Sequence, residues 1–191
     1  MHLLRWCAAA VAVGALTGCQ SFVAPPYSPD YTALDRLKAT RTAQPLQKIS
    51  LGNFQPTDPN APVNRITLRA VTMVSPRVSF AAYLQDALMQ DLKEISLYDE
   101  QSDLRMAATV LRNEIDIGGF STGEGRMSVE ITLQRGSATV LRKTYASTTS
   151  FESSFAGAVA IPRGQIEYPR LVQSLLAKVY ADPEFINTLK K

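Results

Sequence analysis

Two hydrophobic periods alternate along this chain, and their order predicts the fold. Met127, Val129, Ile131 and Leu133 alternate strictly with Ser128, Glu130, Thr132 and Gln134. A period of two with one polar face predicts a half-buried antiparallel strand. Phe80, Leu84, Leu88, Leu92 and Ile95 recur instead at three- and four-residue steps, with Gln85, Asp86, Gln90, Asp91 and Lys93 on the other side. That spacing predicts an amphipathic helix packed on a sheet, with Ser75-Pro76 or Ser79 at its start. A second helical stripe runs through Tyr168, Leu171, Val172, Leu175, Leu176 and Val179, with Pro169 in its first turn. Asp182-Pro183 ends it and opens a short helix reaching about Leu189.

The remaining strands follow from weaker alternation. Lys48 to Phe54 predicts a first strand, with Ile49 and Leu51 opposite Lys48 and Ser50. Gln55 to Pro62 is a proline-rich loop. Asn64 to Val74 predicts a second strand, with Ile66, Leu68 and Ala70 on one face and Arg65, Thr67 and Arg69 on the other. Met106 to Ile117 predicts a long strand in which Val110 shares a face with Arg112, Glu114 and Asp116, while Leu111, Ile115 and Ile117 take the other. Gly118 to Gly125 is a flexible turn with Phe120 at its tip, and Arg135-Gly136-Ser137 turns the chain again. Thr139 to Phe151 then pairs back, with Leu141, Tyr145 and Phe151 on one face. The order β-β-α-β-β-β-α does not alternate strictly. It predicts an α+β fold: an antiparallel or mixed sheet of four to five strands with two main helices packed on one face.

The N-terminus follows neither period. Arg5 precedes an apolar run from Ala8 to Leu16, closed by Thr17-Gly18-Cys19. The run is too short for a spanning helix and reads as a secretory signal over residues 1–18. Gln20 to Pro45 carries Pro25-Pro26 and Pro29 and few apolar residues, apart from a weak helical pattern through Leu34 and Leu37. It reads as a flexible tether over residues 19–45, with a reach of about 28 Å from about 5–6 Å × √n. A segment lying along the domain is the alternative. Residues 46–191 form a single globular domain.

Chemistry after Cys19 is sparse. The sole His, the sole Trp and the second Cys, namely His2, Trp6 and Cys7, all precede the cleavage point. A Ser-His-Asp triad, a Cys/His zinc site and a disulfide are therefore excluded from the processed chain. The nucleophile and phosphate-loop motifs are absent as well. No enzyme activity and no cofactor are expected. Processing removes one of 20 basic residues and none of 17 acidic ones, leaving +2, which is no nucleic-acid footprint.

Phe155 to Pro162 (FAGAVAIP) stands apart as eight residues without a charge or a hydrogen-bonding side chain. Loops are normally polar and run over the surface. This one is expected to be packed down, or exposed for a partner or lipid through Phe155, Val159 and Ile161. Arg65, Arg69 and Arg77 are a weaker feature, a basic strip or simply a solvated face.

Leu16-Thr17-Gly18-Cys19 resembles the lipobox of bacterial lipoproteins, in which the Cys is lipidated and becomes the first mature residue. Cys19 is then the membrane anchor, and Gln20 at the second position implies the outer membrane, facing the periplasm. Lipobox, proline-rich segment and β-β-α-β-β-β-α body together look like the ABC-type transport auxiliary lipoproteins. These include the paraquat-inducible, MCE-system component, with the YajG-type and LptE-type lipoproteins as relatives. The residues carrying the resemblance are Phe80-Ala81-Ala82-Tyr83-Leu84 through Asp91-Leu92, the Met127–Leu133 strand, and Tyr145 to Phe155 leading to Tyr168. The resemblance implies a non-enzymatic auxiliary or adaptor subunit of an envelope lipid-transport complex, with envelope transport proteins as partners. A lipid-binding carrier or chaperone, or a structural envelope lipoprotein, are the alternatives.

Overall fold

The computed structural model describes residues 21–190. Cys19 and the signal over residues 1–18 lie outside the described residues. Strand β1 (Ser21–Val23) and helix α1 (Tyr31–Ala43) open the chain, followed by β2 (Ser50–Gln55), β3 (Ile66–Leu68) and β4 (Val71–Val74). Helix α2 (Phe80–Glu94) precedes three long strands, β5 (Leu104–Asp116), β6 (Thr122–Arg135) and β7 (Ala138–Glu152). Helices α3 (Gly157–Ala181) and α4 (Pro183–Leu189) close it. The α+β class stands.

The main sheet is mixed, in the order β2-β5-β6-β7, with β2 parallel to β5 and the other pairs antiparallel. A second sheet, β1-β4-β3, sits beside it. It exists because the expected second strand is a hairpin: Arg69 takes a left-handed φ of 57°, and Arg69 and Ala70 turn the chain between β3 and β4. Ala70 is therefore exposed rather than part of the Ile66–Leu68 face.

Helices α2 and α3 cover one face of the main sheet, α2 over β2 and β5, α3 over β6 and β7. Val129, Ile131 and Leu133 of β6 meet Leu88 of α2 and Leu171 and Leu175 of α3 in a continuous core, all without exposed surface. Ser79 caps α2, its Oγ accepting from the Ala82 N–H at 3.1 Å. Asp182 caps α4 by accepting from Glu184 N–H at 3.1 Å. Gly164 lets α3 approach β5 and β3 closely: a Cβ there would stand 3.0 Å from Ile117 and 3.2 Å from Leu68.

Four local expectations fail, each for a physical reason. A β-bulge between Val110 and Arg112 inserts Leu111 into β5 and reverses the alternation beyond it. Val110 thus points inward with Asn113 and Ile115, and Leu111 is 52 % exposed instead of sharing the face of Ile115 and Ile117. In β2, where the register also shifts, Ser50 is buried and donates to the Ser102 carbonyl at 2.9 Å, while Leu51 is only half-buried. Gly123 and Gly125 belong to β6 rather than to a flexible turn. A Cβ at Gly123 would collide with the Phe151 ring of the neighbouring strand at 2.4 Å. Finally, α3 begins at Gly157, so FAGAVAIP is mostly helix and Pro169 lies well inside it. Neither Pro162 nor Pro169 is buried, so each missing N–H lies on the outer side of the helix.

Candidate functional site

The segment from Ser21 to Ala43 is no tether. Ser21, Phe22 and Val23 pair in parallel with Thr72, Met73 and Val74, and the Ala24 N–H extends the ladder to the Val74 carbonyl at 2.8 Å. Next, the Pro25 carbonyl accepts from the Tyr83 hydroxyl at 2.9 Å. The Tyr27 hydroxyl donates to Asp91 Oδ2 at 2.9 Å, and the Ser28 carbonyl accepts from Gln173 Nε2 at 2.8 Å. Asp30 then caps α1, whose Leu34 and Leu37 are buried and which lies along α3. The prolines that made this segment read as flexible have the opposite effect here. They lack an N–H that would need a partner, and their fixed φ lowers the entropy lost on ordering. Ser21 to Ala43 is a strap across α2 and α3.

Asp91 is the centre of that strap. Asp91 is 1 % exposed, and its Oδ2 accepts from Tyr27 and from Tyr180 of α3, the latter at 2.8 Å. One carboxylate thus joins the strap, α2 and α3. Oδ1 has no partner among the described residues. Burial raises the Asp91 pKa to about 6, although the Tyr180 and Tyr27 hydroxyls pull it down. Burial likewise pushes the Tyr27 hydroxyl far above its ordinary range, and the neighbouring carboxylate adds to the effect. The polar side of α2 was expected to include Asp91. Yet 84, 88, 91, 92 and 95 share one helical face, and that spacing carries the residue inward.

The second feature is a surface. Phe155 is 71 % exposed and Val159 is 49 % exposed, whereas Ile161 packs partly against the core. The structure therefore separates the three residues expected to act together. It adds a residue from elsewhere: Phe120, 80 % exposed at the β5–β6 loop, whose ring lies 6.0 Å from that of Phe155. Antiparallel topology brings them together, because the β5–β6 loop and the end of β7 lie at the same end of the sheet. Arg69 fastens this end. Its Nη1 donates to the Phe155 carbonyl at 2.6 Å. Its Nη2 donates to the Ser154 and Ile117 carbonyls at 3.0 and 3.2 Å. The guanidinium also lies 5.8 Å from the centre of the Phe155 ring. Arg77 is held by an ion pair with Asp86, so Arg65, Arg69 and Arg77 do not form a common basic strip.

The clefts offer little chemistry. One of about 570 Å³, between the strap and the β6–β7 turn, is open and lined by Arg41, Lys48, Asp99, Asp103 and Arg135 among others. Among the described residues, no group of three or more His, Cys, Asp or Glu side chains is placed to hold a metal ion. No described helix is long and apolar enough to cross a membrane.

No family model and no curated protein matches the chain. Solved structures do. A Xanthomonas campestris protein of the family described as DUF330 superposes with a TM-score of 0.53 at 14 % identity, over 84 % of this chain and 95 % of its own. The fold is therefore shared with that protein. A minor lipoprotein from Acinetobacter baumannii aligns at 15 % identity with a TM-score of 0.44, over 78 % of this chain and 97 % of its own. A candidate lipoprotein from Caulobacter crescentus aligns at 13 % identity with a TM-score of 0.46, over 80 % and 93 % of the two chains.

Proposed function

We propose that the protein is a non-enzymatic lipoprotein anchored through Cys19 to the periplasmic face of the outer membrane. Its role is that of an auxiliary or adaptor subunit in an envelope lipid-transport complex. The Leu16-Thr17-Gly18-Cys19 pattern supports the anchor, and Gln20 supports the outer membrane. A diacylglyceryl group with an amide-linked acyl chain satisfies the requirement of at least two chains for stable anchoring.

The observation that carries the adaptor reading is a filled core, which leaves binding to the outer surface of the protein. A lipid-sized cavity between sheet and helices would leave its lining accessible to a water-sized probe. Leu88, Val129, Ile131, Leu171 and Leu175, which line that space, have none of their surface accessible. The apolar side chains that are available lie outside, Phe120, Phe155 and Val159 among them. This arrangement favours a protein that binds through its surface over a carrier that encloses its cargo.

The test is cross-linking of the acylated protein in intact envelopes, followed by pull-down and mass spectrometry, with native mass spectrometry of the purified protein. Retention of membrane transport components is expected. A stoichiometric co-purified lipid with no retained transport component would overturn the adaptor reading in favour of the carrier. Cys19→Ala is expected to abolish acylation, and an unmodified mature N-terminus in the wild type would overturn the anchor.

A further inference from the structure

The strap fixes where an anchor at Cys19 must sit relative to the body. Ser21 pairs with Thr72, and β1 runs parallel to β4. The start of β1 therefore lies at the end of the small sheet formed by the β3–β4 turn, where Arg69 stands. Cys19 precedes Ser21 by two residues, which span at most about 7 Å of extended chain. An anchored bilayer must lie against this end of the molecule. At the same end Arg69 gathers the Phe155, Ser154 and Ile117 carbonyls, and there Phe120 and Phe155 present their rings to solvent. Two independent features, the start of the chain's ordered path and the exposed aromatic pair, point to the same side.

We propose that the end of the molecule bearing Phe120, Phe155 and Val159 is a membrane-contact face, seated in the interface of the leaflet that holds the Cys19 acyl chains. This rests on the anchor reading above. The occupant is a lipid surface rather than a protein because the position of the anchor leaves no room for the body to stand away from the bilayer. Aromatic side chains favour the headgroup level, and amphipathic surfaces sit about 5–10 Å into that boundary. The contact is apolar rather than driven by headgroup charge. The Arg69 guanidinium is taken up by three carbonyls, and the exposed carboxylates of Asp116 and Glu152 offset the exposed Arg163, one turn beyond Val159 in α3. Zwitterionic lipid therefore suffices.

The processed chain contains no Trp, since Trp6 precedes Cys19. Phe155→Trp and Phe120→Trp are thus single-Trp reporters at exposed positions. Val78→Trp is the control: Val78 is 73 % exposed and lies beyond the far end of β4. Each acylated protein is reconstituted in phosphatidylcholine vesicles with and without bromine on the acyl chains. Acylation is checked by mass and folding by the thermal midpoint. Loss of most of the Trp emission is expected for Phe155→Trp and Phe120→Trp in brominated vesicles, and none for Val78→Trp. If the protein is acylated but neither reporter is quenched, the face is wrong while the anchor stands. If all three are quenched alike, the body has no preferred face and the proposal falls. A protein that is not acylated overturns the anchor reading instead. If Phe155→Trp or Phe120→Trp lowers the thermal midpoint, Val159→Trp replaces it under the same criteria.

Discussion

Asp91→Asn tests the buried clamp most directly, because it removes one proton-binding group and nearly nothing else. The amide has the shape of the carboxylate, and its oxygen still accepts from Tyr27 and Tyr180. In the wild type, burial raises the Asp91 pKa from its ordinary 3.8 to about 6. A group whose pKa is raised on folding stabilises the fold fully below its unfolded value and loses that contribution as pH rises through the folded value. The whole span corresponds to about 3 kcal/mol, at 1.36 kcal/mol per pKa unit. Between about pH 8 and about pH 5 the wild type should gain on the order of 1 kcal/mol from this group alone. Asp182 moves the other way: burial raises its pKa, but hydrogen bonds from Tyr145 and Lys143 outweigh this and hold it low. It titrates equally in both proteins and cancels from the comparison. Urea titrations of both proteins at the two pH values provide the stabilities. The wild-type advantage over Asp91→Asn should be larger near pH 5 than near pH 8 by about that amount. Parallel stabilities at both pH values, or an advantage that grows towards pH 8, would refute the reasoning.

The other predictions concern the strap, the bulge and the core. Tyr27→Phe leaves Asp91 with Tyr180 as its one donor, and should cost about 1.5–3 kcal/mol at neutral pH, the range for a hydrogen bond to a charged group. The loss should shrink in acid, which urea titration at two pH values will show. Leu111→Ser should change stability by less than about 0.5 kcal/mol, as at ordinary surface sites, whereas Ile115→Ala should cost about 2–5 kcal/mol. Equal losses would mean that β5 alternates without a bulge. Leu88→Ala and Ile131→Ala should each cost about 2–5 kcal/mol, and Thr132→Ala on the outer face of β6 far less, by chemical denaturation.

Legibility in the sequence tracked how strongly one face of each element is buried. Strand β6 and helix α2 have one buried and one solvated side, so their periods are sharp. Their positions, the Arg135-Gly136-Ser137 turn and the Asp182 cap all stand as expected. The bulge at Leu111 was hidden because register depends on the partner strand: Val110 faces Val129, but Arg112 already faces Ser128. Its trace was the conflict of Val110 sharing a face with three charged residues. The β3–β4 hairpin was missed because Arg69-Ala70 carries no Gly, Asn or Pro. Arg69 instead adopts positive φ while donating to three carbonyls of other segments, a long-range reward that no local pattern contains. The first turns of α3 were missed because Ala156 offers no capping side chain. The available signal was the continuation of the α3 stripe through two small residues, Ala160 and Gly164.

The strap explains why composition misled at the one place on which the proposed anchoring depends. Few apolar residues and three prolines argue against a stretch that folds by itself, and Ser21 to Asp30 does not fold by itself. It is ordered by borrowed partners: a ladder from β4, a hydroxyl from Tyr83, the Asp91 carboxylate that accepts from Tyr27, and an amide from Gln173. Those partners lie on α2, α3 and strand β4, outside the segment itself. A chain anchored at Cys19 and loose over residues 19–45 would let the body turn freely at a mean distance of about 28 Å. Pinned from Ser21 onward, the same chain transmits the orientation of the anchor to the whole domain. With Cys19 as the proposed anchor, the surface carrying Phe120 and Phe155 would be fixed towards the bilayer, and the opposite end, with the β6–β7 turn and α4, would point away from it. An adaptor that must present one end to a membrane and the other to a partner needs that rigidity, and the Asp91 clamp is where the strap acquires it.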